Sequence, residues 1–365
     1  MMTIRKCPET MSAKERVKRT FAHEKTDRVT IGYDTNPAIH ARLARALGIL
    51  DGDMEKVKQA LGVDYRRLDA PYVGPQLFPV PPDRRVDQME GAIMRWVPNE
   101  YGGYWDCCDF PLKDAEDEDF ETFPIPDPDN FDYDALAAEA QSRTDVAIFL
   151  GGAGVPDIIN SNGRIMGMED VLCHLLTGYE PAMDFIHRRA ASQLAIMERS
   201  LEKAKGYIDF IWLGEDLGTQ HAPMISPALY KRVMKPIHKE FVDLAKSYDL
   251  PVIVHSCGSS SWAFEDFIDI GVDAVDTLQP EAANMAPAYL KERFGTRLGY
   301  RGCISTAGPL AYGTAEEVRE YVRNTLAIMM QGGGYHFAPT HDIQDNSPTE
   351  NVIAMYQAAH DFGRY

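Results

Sequence analysis

From about residue 145 onward, short runs of aliphatic, β-branched and aromatic residues alternate with longer stretches of helical periodicity. The runs fall at 146–150, 208–213, 252–255, 274–278, 298–303 and 335–339. They are mostly continuous rather than alternating, the pattern of parallel strands buried on both faces. Two earlier runs, at 29–33 and 65–68, bring the count to eight. Eight strands alternating with helices predict an α/β fold of the (β/α)8 TIM-barrel type. A doubly wound open sheet is the rival architecture. It lacks support, because no glycine-rich phosphate turn follows an early strand; Gly151-Gly152-Ala153-Gly154 is a poor and misplaced match.

Helix-start chemistry fills the gaps between these runs. Ser226-Pro227 pairs a capping hydroxyl with a proline at the first helical position. Leu229, Val233, Ile237, Phe241 and Leu244 then recur at helical spacing, with Pro236 predicting a kink. Ser12/Glu15, Thr314/Glu317 and Ser347/Glu350 read as capping boxes, and Gly332–Gly334 as a helix stop. Residues 70–144 break the alternation. They predict an insertion with a hairpin around 93–96 and 102–105, followed by an ordered linker whose acidic run at 114–121 is a solvated face rather than a metal site. The chain is read as one barrel domain spanning 1–365, with 70–144 inserted into it.

Composition narrows the function classes. Hydrophobic residues make up 45% and charged residues 25%, enough for a large core. The net charge of −18 sets up a field that repels nucleic acid and anionic membranes. No apolar run nears the roughly 20 residues a membrane span needs, and the N-terminus carries no apolar leader, so a cytoplasmic location is expected. Six irregularly spaced cysteines argue against a disulfide scaffold.

In a βα barrel, chemistry sits at the C-terminal ends of the strands, where the loops converge. Glu215-Asp216, His255-Ser-Cys257, Glu281, Cys303 with Ser305, and His341-Asp342 all fall at predicted strand ends. His255 and Cys257 are both good zinc ligands, and one strand end can aim them at a shared centre. Further ligands would come from other strand ends, with His341, Glu281 and Cys303 as candidates. Glu215 and Asp216 are the candidate catalytic acid or base, unless one of them caps a neighbouring loop through backbone amides.

The segments WLGEDLGTQHAPMISPALYKRVMKP, HSCGSSSWAFEDFIDIGVDAVDTLQPEA and GGGYHFAPTHDIQDNSPTENVIAMYQAA, with the opening SAKERVKRTFAHEKTDRVTI, resemble the uroporphyrinogen-decarboxylase-like superfamily. That superfamily holds true uroporphyrinogen decarboxylases and methyltransferases of cobalamin-dependent systems. The decarboxylases carry an arginine-rich segment at the first strand; the matching stretch here, residues 30–37, has no arginine, which points away from a porphyrinogen with many carboxylates. The methyltransferases are known for a zinc site of the form His-x-Cys followed by a distant cysteine. His255 and Cys257 match the first part, and His341 stands where the distant cysteine would fall, with Glu281 as an extra ligand.

The resemblance therefore implies a zinc-dependent methyltransferase moving a methyl group from a small substrate, such as a methoxylated aromatic, to a corrinoid protein or a thiol. The corrinoid would be carried by a partner protein, since the chain shows no Asp-x-His-x-x-Gly pattern. Two alternatives stay open: a metal-independent decarboxylase or lyase of a small carboxylic acid, and a non-catalytic barrel that binds a corrinoid or substrate. A homodimer is the default assembly.

Overall fold

A computed structural model describes residues 2–100 and 102–365. Eight parallel strands form one sheet: β1 (Thr30–Ile31), β2 (Tyr65–Arg67), β6 (Ala147–Pro156), β7 (Phe210–Gly214), β8 (Val252–His255), β9 (Ala274–Asp276), β10 (Gly299–Ile304) and β11 (Tyr335–Pro339). Their order, β1-β11-β10-β9-β8-β7-β6-β2, brings the first two strands together at the seam. Asp64 closes that seam. Its amide donates to the Ile31 carbonyl at 3.0 Å, and its carboxylate accepts the Ile31 amide at 2.8 Å. The expected TIM barrel is the observed fold, with each predicted run supplying one strand.

Inside the barrel, side chains from alternate positions pack into layers. Tyr65, Phe149, Phe210, Trp212, Ile253 and Ala274 form this inner cluster, with Phe149 stacked on Phe210 at 5.0 Å. The other strand faces pack outward against the helices, so most strand positions are buried whichever way they point. That two-sided burial is why the strands read as continuous apolar runs.

The insertion forms a second, antiparallel sheet of β3 (Arg85–Val86), β4 (Ile93–Val97) and β5 (Tyr104–Asp109). Trp96 and Trp105 stand opposite each other across the hairpin, as the sequence led one to expect. The acidic run is an exposed face, as expected, and its ordered form is a helix, Asp117–Thr122, capped at Glu116 with three acidic residues in its first turn. Acidic side chains there are stabilised by the free amides and the helix dipole.

Two helix-start expectations need correction. Ser347 does not cap the last helix, which begins at Thr349 with Pro348 in the cap position; the Ser347 hydroxyl is buried without a hydrogen-bond partner among the described residues. Ser12 does cap its helix through the Glu15 amide, but the Glu15 carboxylate turns to Arg19 instead of completing a box. The Thr314/Glu317 box forms in full. Before Pro236 the helix widens into a π-turn over Tyr230–Met234, which absorbs the proline that was expected to kink it.

Glu55 ties the helix Met54–Leu61 to the barrel. It accepts two bonds from Arg66 at 2.8 Å and one from Arg143 at 3.1 Å. The Arg66 hydrogen bonds outweigh burial and push the carboxyl from an ordinary 4.5 down to about 2. Because the folded value lies below the unfolded one, this stabilisation is present above pH 4.5 and is lost as pH falls towards 2. Discounted for solvent screening, it amounts to about 1–2 kcal/mol. Urea midpoints measured at pH 6 and pH 3 should therefore converge between wild type and Glu55→Gln as pH drops; an unchanged gap would refute the assignment.

Candidate active site

A cavity of about 470 Å3 opens at the C-terminal ends of the strands, floored by Tyr65, Phe149, Trp212 and Arg301 from the barrel interior. The β7 end shapes one wall. Gly214 has no room for a side chain, since a Cβ there would lie 2.0 Å from the Ala153 carbonyl oxygen. β6 bulges against it between Gly151 and Pro156. This close approach carries Asp216 into the cavity beside β8.

His255, Cys257 and Asp216 meet there. His255 Nε2 lies 3.4 Å from Cys257 Sγ, and Asp216 Oδ1 accepts the Cys257 amide at 2.7 Å while standing 3.7 Å from His255 Nε2. Asn160 Nδ2 donates to the other Asp216 oxygen at 2.8 Å. The three ligand atoms fall within 4.8 Å of one another, the one such metal-competent group among the described residues.

Behind His255 runs a buried chain of charge. Asp276 Oδ2 meets His255 Nδ1 at 2.9 Å, and Thr277 Oγ1 meets the same nitrogen at 2.6 Å. Arg301 donates to Asp276 at 2.6 Å, to the Tyr65 hydroxyl at 2.7 Å and to Asp34, and lies 4.2 Å over the Trp212 ring. Burial opposes charge at both ends of this chain and is outweighed. The Arg301 and His255 charges hold the Asp276 carboxyl down at about 2, and Asp276 and Cys257 raise the imidazole well above its ordinary value. With its Nδ1 tied up in this way, the ring turns Nε2 towards Cys257 and Asp216.

The other sequence candidates are placed differently. Glu215 is fully buried and faces away from the cavity chemistry: it accepts the Ile158 and Ile159 amides at 2.7 and 3.0 Å, and His238 Nε2 lies 3.1 Å away. It caps the helix Ile158–Met166, the structural role weighed for it from sequence. Burial pushes its carboxyl up to about 8 and the His238 imidazole down to about 3, disfavouring the charged form of each. Glu281 is exposed and accepts from Ser305 Oγ at 2.7 Å, outside the metal-competent group. His341 lines the cavity but is exposed, its Nδ1 3.4 Å from the Gln344 amide nitrogen, and is likewise outside that group. Cys303 is fully buried in the barrel wall, and burial pushes its thiol far up.

Sequence reasoning missed Asp157, Asp276 and Arg301. Asp157 lines the cavity in a left-handed conformation (φ 43°), capping the Asn160 amide at 3.2 Å. Burial first, then the neighbouring Glu215 and Asp216, raise its carboxyl well above the usual range. The available signal was an ionisable residue inside or just after an apolar strand, which needs a buried partner. The cavity also corrects the charge argument made from residues 30–37: Lys58, Arg67, Arg164 and Arg301 reach it from other elements.

The uroporphyrinogen decarboxylase family model matches residues 205–362. Curated relatives named uroporphyrinogen decarboxylase include one from Legionella pneumophila (strain Corby), 24% identical over 262 residues and 70% of each chain. Another, from Methylibium petroleiphilum, is 23% identical over 276 residues, covering 70% of this chain and 69% of the relative. Among solved structures, a methyltransferase from Methanosarcina mazei superposes with a TM-score of 0.65 at 15% identity, covering 97% of this chain and 99% of its own. The same barrel thus spans both chains. Residues 205–362 carry the uroporphyrinogen decarboxylase family pattern, and the chain resembles the uroporphyrinogen-decarboxylase-like superfamily, as its strand-end motifs indicate.

Proposed function

We propose that the protein is a zinc-dependent methyltransferase that moves a methyl group from a small substrate, in the leading version a methoxylated aromatic, to a corrinoid on a partner protein or to a thiol. The observation that carries this reading is the His255, Cys257 and Asp216 donor set lining the cavity, with Asp276 on the far side of the imidazole. A nitrogen, a thiolate sulfur and a carboxylate oxygen suit zinc, and a carboxylate behind the ligating histidine fixes its ring orientation. His255 Nε2, Cys257 Sγ and Asp216 would hold the ion. Zinc bound there supplies a Lewis acid to a substrate heteroatom.

The chain's own residues do the rest. Phe149, Trp212 and Tyr33 give the ring of a small aromatic an apolar seat. As the O–CH3 bond breaks, its electron pair stays on oxygen and the methyl group passes to the acceptor nucleophile. Asp157 lines the cavity, and burial raises its carboxyl well above the usual range, so it is the group we assign to give the leaving oxygen a proton.

A second reading, decarboxylation of a small carboxylic acid, is favoured by the cations that line the cavity and by the names of the curated relatives. Elemental analysis separates the two. The methyltransferase reading expects near-stoichiometric zinc in purified protein and demethylated product that depends on an added corrinoid or thiol acceptor. Protein that takes up no zinc when folded in its presence, yet releases carbon dioxide from a small acid, would overturn it.

A further inference from the structure

Three cations reach the cavity from the β2 and β6 side, separated from β8 by β7. Arg67 ends β2, Arg164 sits on the helix Ile158–Met166, and Lys58 on the helix Met54–Leu61. Arg67 pairs with Asp69 at 2.7 Å and Arg164 with Glu90 at 3.2 Å. Lys58 makes no hydrogen bond or ion pair among the described residues, although it is half-buried and burial, with Arg66, pushes its ammonium below the ordinary value. The nearby Asp34 is committed to Arg301. Of the three cations, Lys58 alone has no carboxylate partner among the described residues.

The backbone makes room for this cluster. Gly152, at φ +155°, lies under the Arg67 guanidinium, and a Cβ there would come within 3.0 Å of its Nη1. Arg67 and Arg164 also line an adjoining cavity of about 570 Å3 beneath the inserted segment, so they stand where the two spaces meet. An ammonium withdrawn from water without a partner is costly.

We propose that Lys58, Arg67 and Arg164 form a monoanion subsite, and that the substrate of this cavity carries a single carboxylate that sits on it. The proposal rests on the methyltransferase reading and deepens it: the methyl donor is an acid, held at its carboxylate while its methoxy group lies towards His255 and Cys257. A planar carboxylate suits two guanidinium groups and an ammonium. A dianion such as phosphate would add a second negative charge beside Asp69 and Glu90, which the unpartnered Lys58 alone does not balance.

Calorimetric titration of the purified protein with benzoate, benzamide and inorganic phosphate tests this without any methyl transfer. Benzoate is expected to bind at least tenfold more tightly than its neutral amide and than phosphate. Lys58→Met and Arg67→Gln should each weaken benzoate about tenfold, leave benzamide unchanged and leave zinc content unaltered; Lys58→Arg should restore most of the benzoate affinity. Arg67 is half-exposed, so its variant keeps the test alive should the Lys58 variant fold poorly. Equal affinity for benzoate and benzamide, tighter binding of phosphate, or unchanged benzoate binding in both variants would overturn the subsite. Because binding and zinc are read separately, loss of the methyltransferase reading would appear as missing metal with benzoate binding intact.

Discussion

Asp64→Ala should lower the unfolding free energy by about 3–5 kcal/mol, the range for removing one partner from a buried ion pair. Asp64 is 1% exposed and serves two arginines that are almost as deeply buried. Arg16 Nη1 donates to it at 2.6 Å, and Arg28 donates from both terminal nitrogens at 2.7 and 3.0 Å. It also accepts the Ile31 amide, which joins β1 to the residue before β2. Without the carboxylate, Arg16 keeps Asp27 and Arg28 keeps Glu9, but both guanidinium groups and the Ile31 amide lose their shared buried acceptor in the barrel seam. The residue lies before β2, at the opposite end of the strand from the cavity. Zinc content per folded molecule should therefore stay at the wild-type level while the urea midpoint falls. A shift below about 1 kcal/mol would mean the seam is held by strand pairing alone.

The same contrast between local pattern and long-range pairing explains what could be read from the residues. β8 was legible because Val252, Ile253 and Val254 are buried on both barrel faces, so the run has no polar interruption. His255 and Cys257 were legible as a pair because their spacing alone puts them on one strand end. Asp276 and Arg301 were not. Each is a single charged residue in an apolar strand, and the partner that makes sense of it lies 25 positions away on the next strand. Asp64, Arg16 and Arg28 were hidden for the same reason.

Position at a strand end, in turn, does not fix where a side chain points. Glu281 and His341 both follow strands as expected, yet Glu281 turns to Ser305 and His341 stays at the exposed rim. Asp216 enters the cluster because Gly214 lets β6 and β7 approach closely, a contact that no local pattern announces. Lys58 is the extreme case, a helix residue that reads as solvated until the helix is seen against the cavity.

The largest functional effect is expected at the β8 end. His255→Ala/Cys257→Ala removes two of the three donor atoms and leaves Asp216 alone, so zinc should fall from near-stoichiometric to trace, and methyl transfer with it. Asp276→Asn should give a graded result. Its side chain keeps the shape and can still touch the imidazole, but the negative charge that raises His255 basicity is gone, and roughly 10–100-fold in metal affinity should go with it. Asp276→Asn can also be told from wild type by pH. Asp276 and Cys257 raise the His255 imidazole well above its ordinary value, so proton and metal compete for the ring and affinity should weaken as pH falls. With Asp276→Asn that proton is held less tightly, and the loss of affinity on acidification should begin at lower pH. Competition with a chelator, followed from pH 6 to pH 9 by elemental analysis, measures both effects. Zinc retained by the double variant, or an Asp276→Asn profile identical to wild type, would move the metal site away from His255 and leave Asp276 as a buried structural acid.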